Sequence, residues 1–232
     1  MTKKGLWCKI IGKLNRKGEN MKESTKNIAN ELVLRYPALA PAKEDVLAAF
    51  ETLKACYEKG GRVYLCGNGG SAADCEHIVG ELVKSFKKKR PIANALVEGL
   101  KGEGELGEEL LKDLEGGLPA ISLCGHAPLT LAFLNDKNPM LTFAQQLSVM
   151  GRAGDVLLTL STSGNSKNCV YATIVARSLQ MKTVFLGGGT GGKLKELADV
   201  SIIAPEKETY KVQEYHLPIY HCLCAMLEEE FF

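Results

Sequence analysis

Two groups of polar residues, far apart in the chain, could act together on one substrate. His77 and Glu81 are four residues apart in a stretch of helical spacing. They therefore share a helix face, about 40° apart around the axis. Gln213, Glu214, His216 and His221 follow much later, in "YKVQEYHLPIYHCLC". The chain has 4 histidines, and three fall in these two segments. Each has a plain reading on its own: an exposed pair one helical turn apart, or a hydrogen-bonded core histidine. Together, a carboxylate and an imidazole can move a proton between adjacent carbons of a sugar phosphate through an enediol. Such a transfer needs a base for the C–H proton and an acid/base for the oxygens, and the two groups can supply both. A metal ion could polarise the carbonyl instead or as well.

That chemistry needs a held substrate, and two loops offer an anion cradle. In "VYLCGNGGSAADCEH" an apolar run breaks at Gly67, Asn68, Gly69 and Gly70 and restarts as a helix at Ser71. Glycines let backbone N–H groups approach a ligand, and the positive helix end favours an anion. Ser71 stands at the expected N-cap, with Asp74 at capping-box spacing. A second apolar run, "DVLLTLSTSGNSKN", ends in Ser161, Thr162, Ser163 and Ser166, four hydroxyls before another helix. One such loop is only a turn. Two at the same end of a parallel sheet predict a single phosphorylated ligand. Gly67, Gly69 and Ala72 also fit the dinucleotide pattern, but no second strand ends in an acid about twenty residues on. In "GGGTGGKL", Leu194 replaces the hydroxyl residue that a nucleotide-binding P-loop requires. No nucleotide cofactor is expected.

The elements that must position these residues alternate. Strand-like runs occur at "RVYLC", "AISLC", "DVLLTL", "TVFLGG" and "VSIIAP". Helical patterns separate them, at 72–86, at 129–134 with 143–150, at 167–180 and at 192–197. This predicts an α/β fold whose parallel sheet is covered on both faces. Residues 22–59 read as two helices divided by Pro37 and Pro41. A last helix is predicted over 208–229, bent at Pro218. Residues 87–118, Gly-rich and charged, read as an inserted surface excursion with one short helical pattern at "LGEELLKDL". Residues 1–20 form a basic extension, and 21–232 a single domain.

Bulk properties narrow the function. The chain has 232 residues, enough for one large domain. Its net charge of +2 does not point to a nucleic-acid partner. No apolar run reaches membrane-spanning length, and "IIGKLN" is too short and polar for a secretory core. The 8 cysteines include no CxxC pair, which speaks against a structural zinc ribbon and for a reduced, cytoplasmic chain.

The stretches "CGNGGSAADCEHIVGEL", "LSTSGNSKN" and "VQEYHLPIYH" closely resemble the phosphoheptose isomerases of the sugar-isomerase (SIS) domain superfamily. The resemblance spans roughly residues 21–232. It implies a three-layer αβα sandwich with a five-stranded parallel sheet. It also implies a homotetramer that converts sedoheptulose 7-phosphate to D-glycero-D-manno-heptose 7-phosphate. Glu81 then corresponds to the base for the C–H proton and His221 to its acid/base partner. Asn68, Gly69, Gly70 and Ser71 correspond to the first substrate loop, and Ser161, Thr162, Ser163 and Ser166 to the phosphate loop. Asn135 and Asp136 correspond to a further substrate-contacting pair. Zinc-containing members place their ligands at His77, Glu81, Gln213 and His221. Gln213 and His221 are eight residues apart, about 12 Å along a helix, so their side chains must converge to share a metal. The 87–118 excursion is longer than in the best-known members, and Tyr210 stands where many relatives carry an acid. The alternative is a non-enzymatic SIS-domain protein, either a replication-initiator-binding regulator or a sugar-phosphate sensor. The regulator lacks the Glu and the final His that stand here as Glu81 and His221.

Overall fold

The computed structural model describes residues 21–232; the basic segment 1–20 lies outside the described residues. Helices α1 (Glu23–Arg35) and α2 (Lys43–Glu58) precede the sheet. The prolines expected to divide them, Pro37 and Pro41, lie in a short 3-10 turn over Pro37–Ala42.

Five strands follow at the expected places: β1 (Val63–Cys66), β2 (Ala120–Ser122), β3 (Val156–Ser161), β4 (Lys182–Gly188) and β5 (Val200–Ala204). All pair in parallel, in the order β2-β1-β3-β4-β5. Val63, Leu65, Val156 and Leu158 pack on α1, α2, α3 (Gly70–Val83) and α10 (Thr209–Phe231). Their neighbours Tyr64, Cys66 and Leu157 point the other way. There they meet Phe143 and Leu147 of α7 (Thr142–Met150), Ala172 and Ala176 of α8 (Lys167–Ser178), and Leu194 of α9 (Gly192–Leu197). Side chains alternate across a strand, so a sheet buried on both faces is apolar at most positions. Each fully buried large side chain contributes about 1.5–3 kcal/mol.

The order of the strands places the site. The chain steps outward from β1 to β2 and then returns to the other side of β1 as β3. A parallel sheet leaves a crevice beyond its strand ends where its direction reverses in this way. The loops after β1 and β3 border that crevice on the same side.

The excursion contains two helices rather than one, α4 (Asn94–Lys101) and α5 (Gly104–Asp113). A further helix, α6 (Ala127–Asp136), follows β2. Pro218 lies inside α10, which runs unbroken through it. Burial of Val212, Ile219, Tyr220, Leu223 and Met226 along that helix holds it in place despite one missing amide donor. Among the described residues, no helix is long and apolar enough to cross a membrane.

Candidate active site

The first loop turns on Gly69, whose φ of 55° and ψ of −125° favour glycine. Helix α3 begins directly after it, at Gly70. Ser71 is therefore not the N-cap expected for it. It is buried in the first turn, where its N–H donates to the Asn68 carbonyl at 3.0 Å. Asp74 is freed from any capping box and instead accepts from the Tyr220 hydroxyl at 3.2 Å. Among the described residues, no backbone carbonyl accepts from the N–H of Gly69 or Gly70.

The second loop faces the first. Asn68 and Asn168 exchange side-chain amide hydrogen bonds at 3.0 and 2.8 Å, which ties the two loops together. Ser161 and Ser166 hydroxyls lie 3.0 Å apart, and Ser163 Oγ accepts the Asn165 N–H at 3.2 Å. Asn165 also accepts the Lys193 N–H at 3.1 Å, which braces the loop against α9. Among the described residues, the N–H groups of Ser166, Lys167 and Asn168 have no backbone acceptor. Hydroxyls and free N–H groups at a helix start form an anion site. Asn135 and Asp136 end α6 in exposed positions, bonded to each other at 2.9 Å.

Helices α3 and α10 run side by side in the same direction. A Cβ on Gly70 would lie 2.6 Å from the Gln213 amide, and one further stretch along both helices brings His77 to Tyr220. This pairing gathers His77, Glu81 and His221, whose donor atoms all lie within 4.8 Å of one another. His77 Nε2 is 3.1 Å from Glu81 Oε1 and 3.5 Å from His221 Nε2. The Glu81 side chain is only 14% exposed, and its Oε2 has no hydrogen-bond partner. Lys84 Nζ stands 3.8 Å from that oxygen. Burial and the neighbouring His77 lower the His221 pKa, with Glu81 opposing. Its imidazole is thus neutral near pH 7, free to take a proton or a metal.

Of the four expected metal ligands, three converge. The Gln213 amide lies over Gly70, seven residues or about 10 Å along α3 from His77. Two imidazole nitrogens and a carboxylate oxygen are a donor set suited to zinc, and three protein ligands with an open position is the catalytic arrangement. The unpartnered Glu81 Oε2 agrees with that fit. His216 stands outside the cluster. It is fully buried near the Gly187 carbonyl at 3.3 Å, and burial pushes its pKa down to about 4. It is a neutral core residue.

A sequence family described as the SIS domain matches residues 33–113. The phosphoheptose isomerase of Helicobacter pylori (strain P12) is 36% identical over 189 residues, which cover 82% of this chain and 83% of the relative. That of Akkermansia muciniphila is 33% identical over 212 residues, 91% of this chain and 99% of the relative. The chain belongs to the phosphoheptose isomerase family. Among solved structures of that family, phosphoheptose isomerase GmhA from Neisseria gonorrhoeae superposes with a TM-score of 0.67 at 28% identity. That match covers 88% of this chain and 98% of the other.

Some residues at or behind this candidate site escape sequence reasoning. Arg90, within the charged "KKKRP" run, is buried rather than exposed. Its Nε donates to Glu228 Oε1 at 2.8 Å, Nη1 to the Leu82 carbonyl at 2.7 Å and Nη2 to the Glu81 carbonyl at 2.8 Å. The last carbonyls of a helix lack partners within it, and Arg90 supplies them for α3. Glu228 also accepts the N–H groups of Phe86, Lys87 and Lys88. Asn168 and Tyr220 escaped as well. The only available signals were that Tyr220 adjoins His221 and that Asp74 lies one turn before His77.

Proposed function

We propose that the protein interconverts sedoheptulose 7-phosphate and D-glycero-D-manno-heptose 7-phosphate by proton transfer through an enediol. The observation that carries this is the meeting of Glu81 with His221, brought from opposite parts of the chain, with Glu81 on the helix that starts at one of two anion-binding loops tied to each other. A non-enzymatic regulator or sensor would need no such pair, and the curated relatives are isomerases.

The N–H groups and hydroxyls of the two loops hold the phosphate. Asn68, Gly69, Gly70 and Ser71 would line one side, and Ser161, Thr162, Ser163 and Ser166 the other. Gln213, over Gly70, would contact the sugar, as would Asn135 and Asp136 at the end of α6. Glu81 removes the proton from one carbon and returns it to the next, while neutral His221 shuttles the hydroxyl proton. A zinc ion held by His77, Glu81 and His221 would polarise the carbonyl.

We read the active form as a homotetramer with sites shared between subunits. Gly70 and Glu81 are eleven residues apart, about 16 Å along α3, a long span for one sugar phosphate. Leu129, Leu131 and Leu134 of α6 are exposed, an apolar surface a second copy could cover. The seven described cysteines are all free, which agrees with a reducing cytoplasm. Incubation with a panel of five- to seven-carbon ketose phosphates, followed by NMR, tests the reading. Aldose should form from the seven-carbon substrate. No turnover of any member of the panel would overturn it.

A further inference from the structure

Behind the His77, Glu81 and His221 cluster lies a second row of polar groups that this reaction chemistry has not used. His77 Nδ1 is 3.0 Å from the Tyr220 hydroxyl, and that hydroxyl is 3.2 Å from Asp74 Oδ1. The two rings meet edge to face, with centroids 5.4 Å apart. Tyr220 is almost wholly buried, so its hydroxyl cannot turn to water. Asp74 Oδ2 is buried with no hydrogen-bond partner, so Tyr220 is the side chain that satisfies this carboxylate.

We propose that Asp74 and Tyr220 are positioning residues that fix the tautomer and orientation of His77. The inference rests on the isomerase reading only for its effect on rate. A tyrosine hydroxyl has one proton to give, and an ionised carboxylate can only accept. The Tyr220 proton therefore goes to Asp74. Its oxygen must then accept from His77, which places the imidazole proton on Nδ1. His77 Nε2 then faces Glu81 Oε1 at 3.1 Å and His221 Nε2 at 3.5 Å, acceptor spacings that a proton shared with Glu81, or a bound cation, would bridge. A His77 held this way turns its Nε2 edge to the cluster, the atom that would bind a metal ion or exchange a proton with Glu81 or His221.

The arrangement has a general precedent in metal sites. A ligating histidine usually gives its other N–H to a carboxylate, and this fixes ring orientation and raises basicity. Here a tyrosine hydroxyl is inserted between ring and carboxylate. The carboxylate and the histidine are three residues apart on α3, and the tyrosine comes from α10. The relay thus also locks the two helices in the register that brings His221 to Glu81.

The test uses full-length protein labelled with 15N in its imidazoles, together with two variants. Tyr220→Phe keeps the ring and removes the hydroxyl. Asp74→Asn removes the charge without disturbing the buried ring, so it serves if the first variant folds poorly. In the native protein the His77 nitrogen shifts should report a proton on Nδ1. In Tyr220→Phe the signal should move to the Nε2–H form or to a mixture. With sedoheptulose 7-phosphate, kcat should fall about 10- to 100-fold in either variant, the usual effect of removing an outer partner of a ligating histidine. KM should stay within about twofold, because the phosphate loops are untouched. The double variant should be no worse than the poorer single. A native His77 carrying its proton on Nε2, or a Tyr220→Phe protein with unchanged nitrogen shifts and unchanged kcat, would overturn the proposal. The nitrogen shifts need no turnover, so a protein without isomerase activity would still confirm or refute the relay.

Discussion

Arg90 donates to the backbone carbonyl of Glu81 at 2.8 Å while its other edge is paired with Glu228 at 2.8 Å, the whole pair out of contact with solvent. The position of the proposed base is thus set by a residue nine places away, itself held by the far end of the chain. Breaking a buried pair from one side leaves an uncompensated charge and typically costs about 3–5 kcal/mol. Arg90→Met should therefore destabilise the protein strongly, whereas Arg90→Met with Glu228→Met should recover much of that loss. Denaturant unfolding of the three proteins checks the ranking. The recovered double variant should still isomerise slowly, since nothing then ties the Glu81 carbonyl.

The same pair gives an acid limit. Burial alone would raise the Glu228 pKa, but the N–H groups of Phe86 and Lys87 and the Arg90 guanidinium more than offset it and hold it low. A carboxyl with a lowered folded pKa stabilises the fold above its unfolded value, about 4.3, and that contribution is lost as pH falls through the folded pKa. Unfolding of native protein and of the Met–Met variant across this range should show a component only the former loses.

His216 adds a second, milder pH dependence. Burial holds it neutral with a pKa of about 4 against 6.5 for the free side chain. The unfolded chain therefore binds a proton between those values that the native chain does not, so stability falls as pH drops from about 6.5 to about 4. The loss approaches about 3 kcal/mol at the lower end. His216→Gln should flatten this slope in thermal melts at pH 4.5 to 7, and an equal slope in both proteins would contradict the assignment.

The phosphate loop can be tested by one hydroxyl. Ser163 Oγ accepts from Asn165, which leaves its proton to donate to a phosphate. Ser163→Ala should weaken sugar-phosphate binding by about 1.5–3 kcal/mol, the range for a hydrogen bond to a charged group. Calorimetry with phosphorylated and unphosphorylated sugar should show the loss only for the first.

Metal content separates Gln213 from the other expected ligands. Zinc titration of chelator-treated protein should show binding that His77→Ala and His221→Ala abolish. Gln213→Ala should retain it, because its amide lies over Gly70 in this structure.

How far the sequence alone reaches depends on where each signal sits. Val156–Ser161 is buried on both sides, so it reads as the continuous apolar run of a parallel strand. The two candidate anion-binding loops fall where the sequence reading puts them, because glycines and hydroxyls cluster where those strands end. Helix α4 was not, since none of its residues is buried and no cap marks its start. Arg90 looked like surface charge because its partner is 138 residues away, and a local window cannot show burial. Tyr220 is buried in the core, and its hydroxyl alone reaches the cluster, through His77 and Asp74 of another helix, so nothing local in the sequence marks it. The cap assigned to Ser71 failed because Gly69, with its positive φ, starts the helix early.

The central claim is that Glu81 and His221 move protons as a unit. Glu81→Gln keeps the shape and removes the proton acceptor. NMR of sedoheptulose 7-phosphate isomerisation by Glu81→Gln, His221→Asn and the double variant tests this most directly, with folding confirmed by thermal melts. Each single variant should lose at least ~10²-fold in rate, the usual general-base contribution. The double variant should lose little more than the worse single, because residues acting together are not additive, and substrate should still bind to all three. Folded single variants that bind substrate and isomerise it at the native rate would contradict the account.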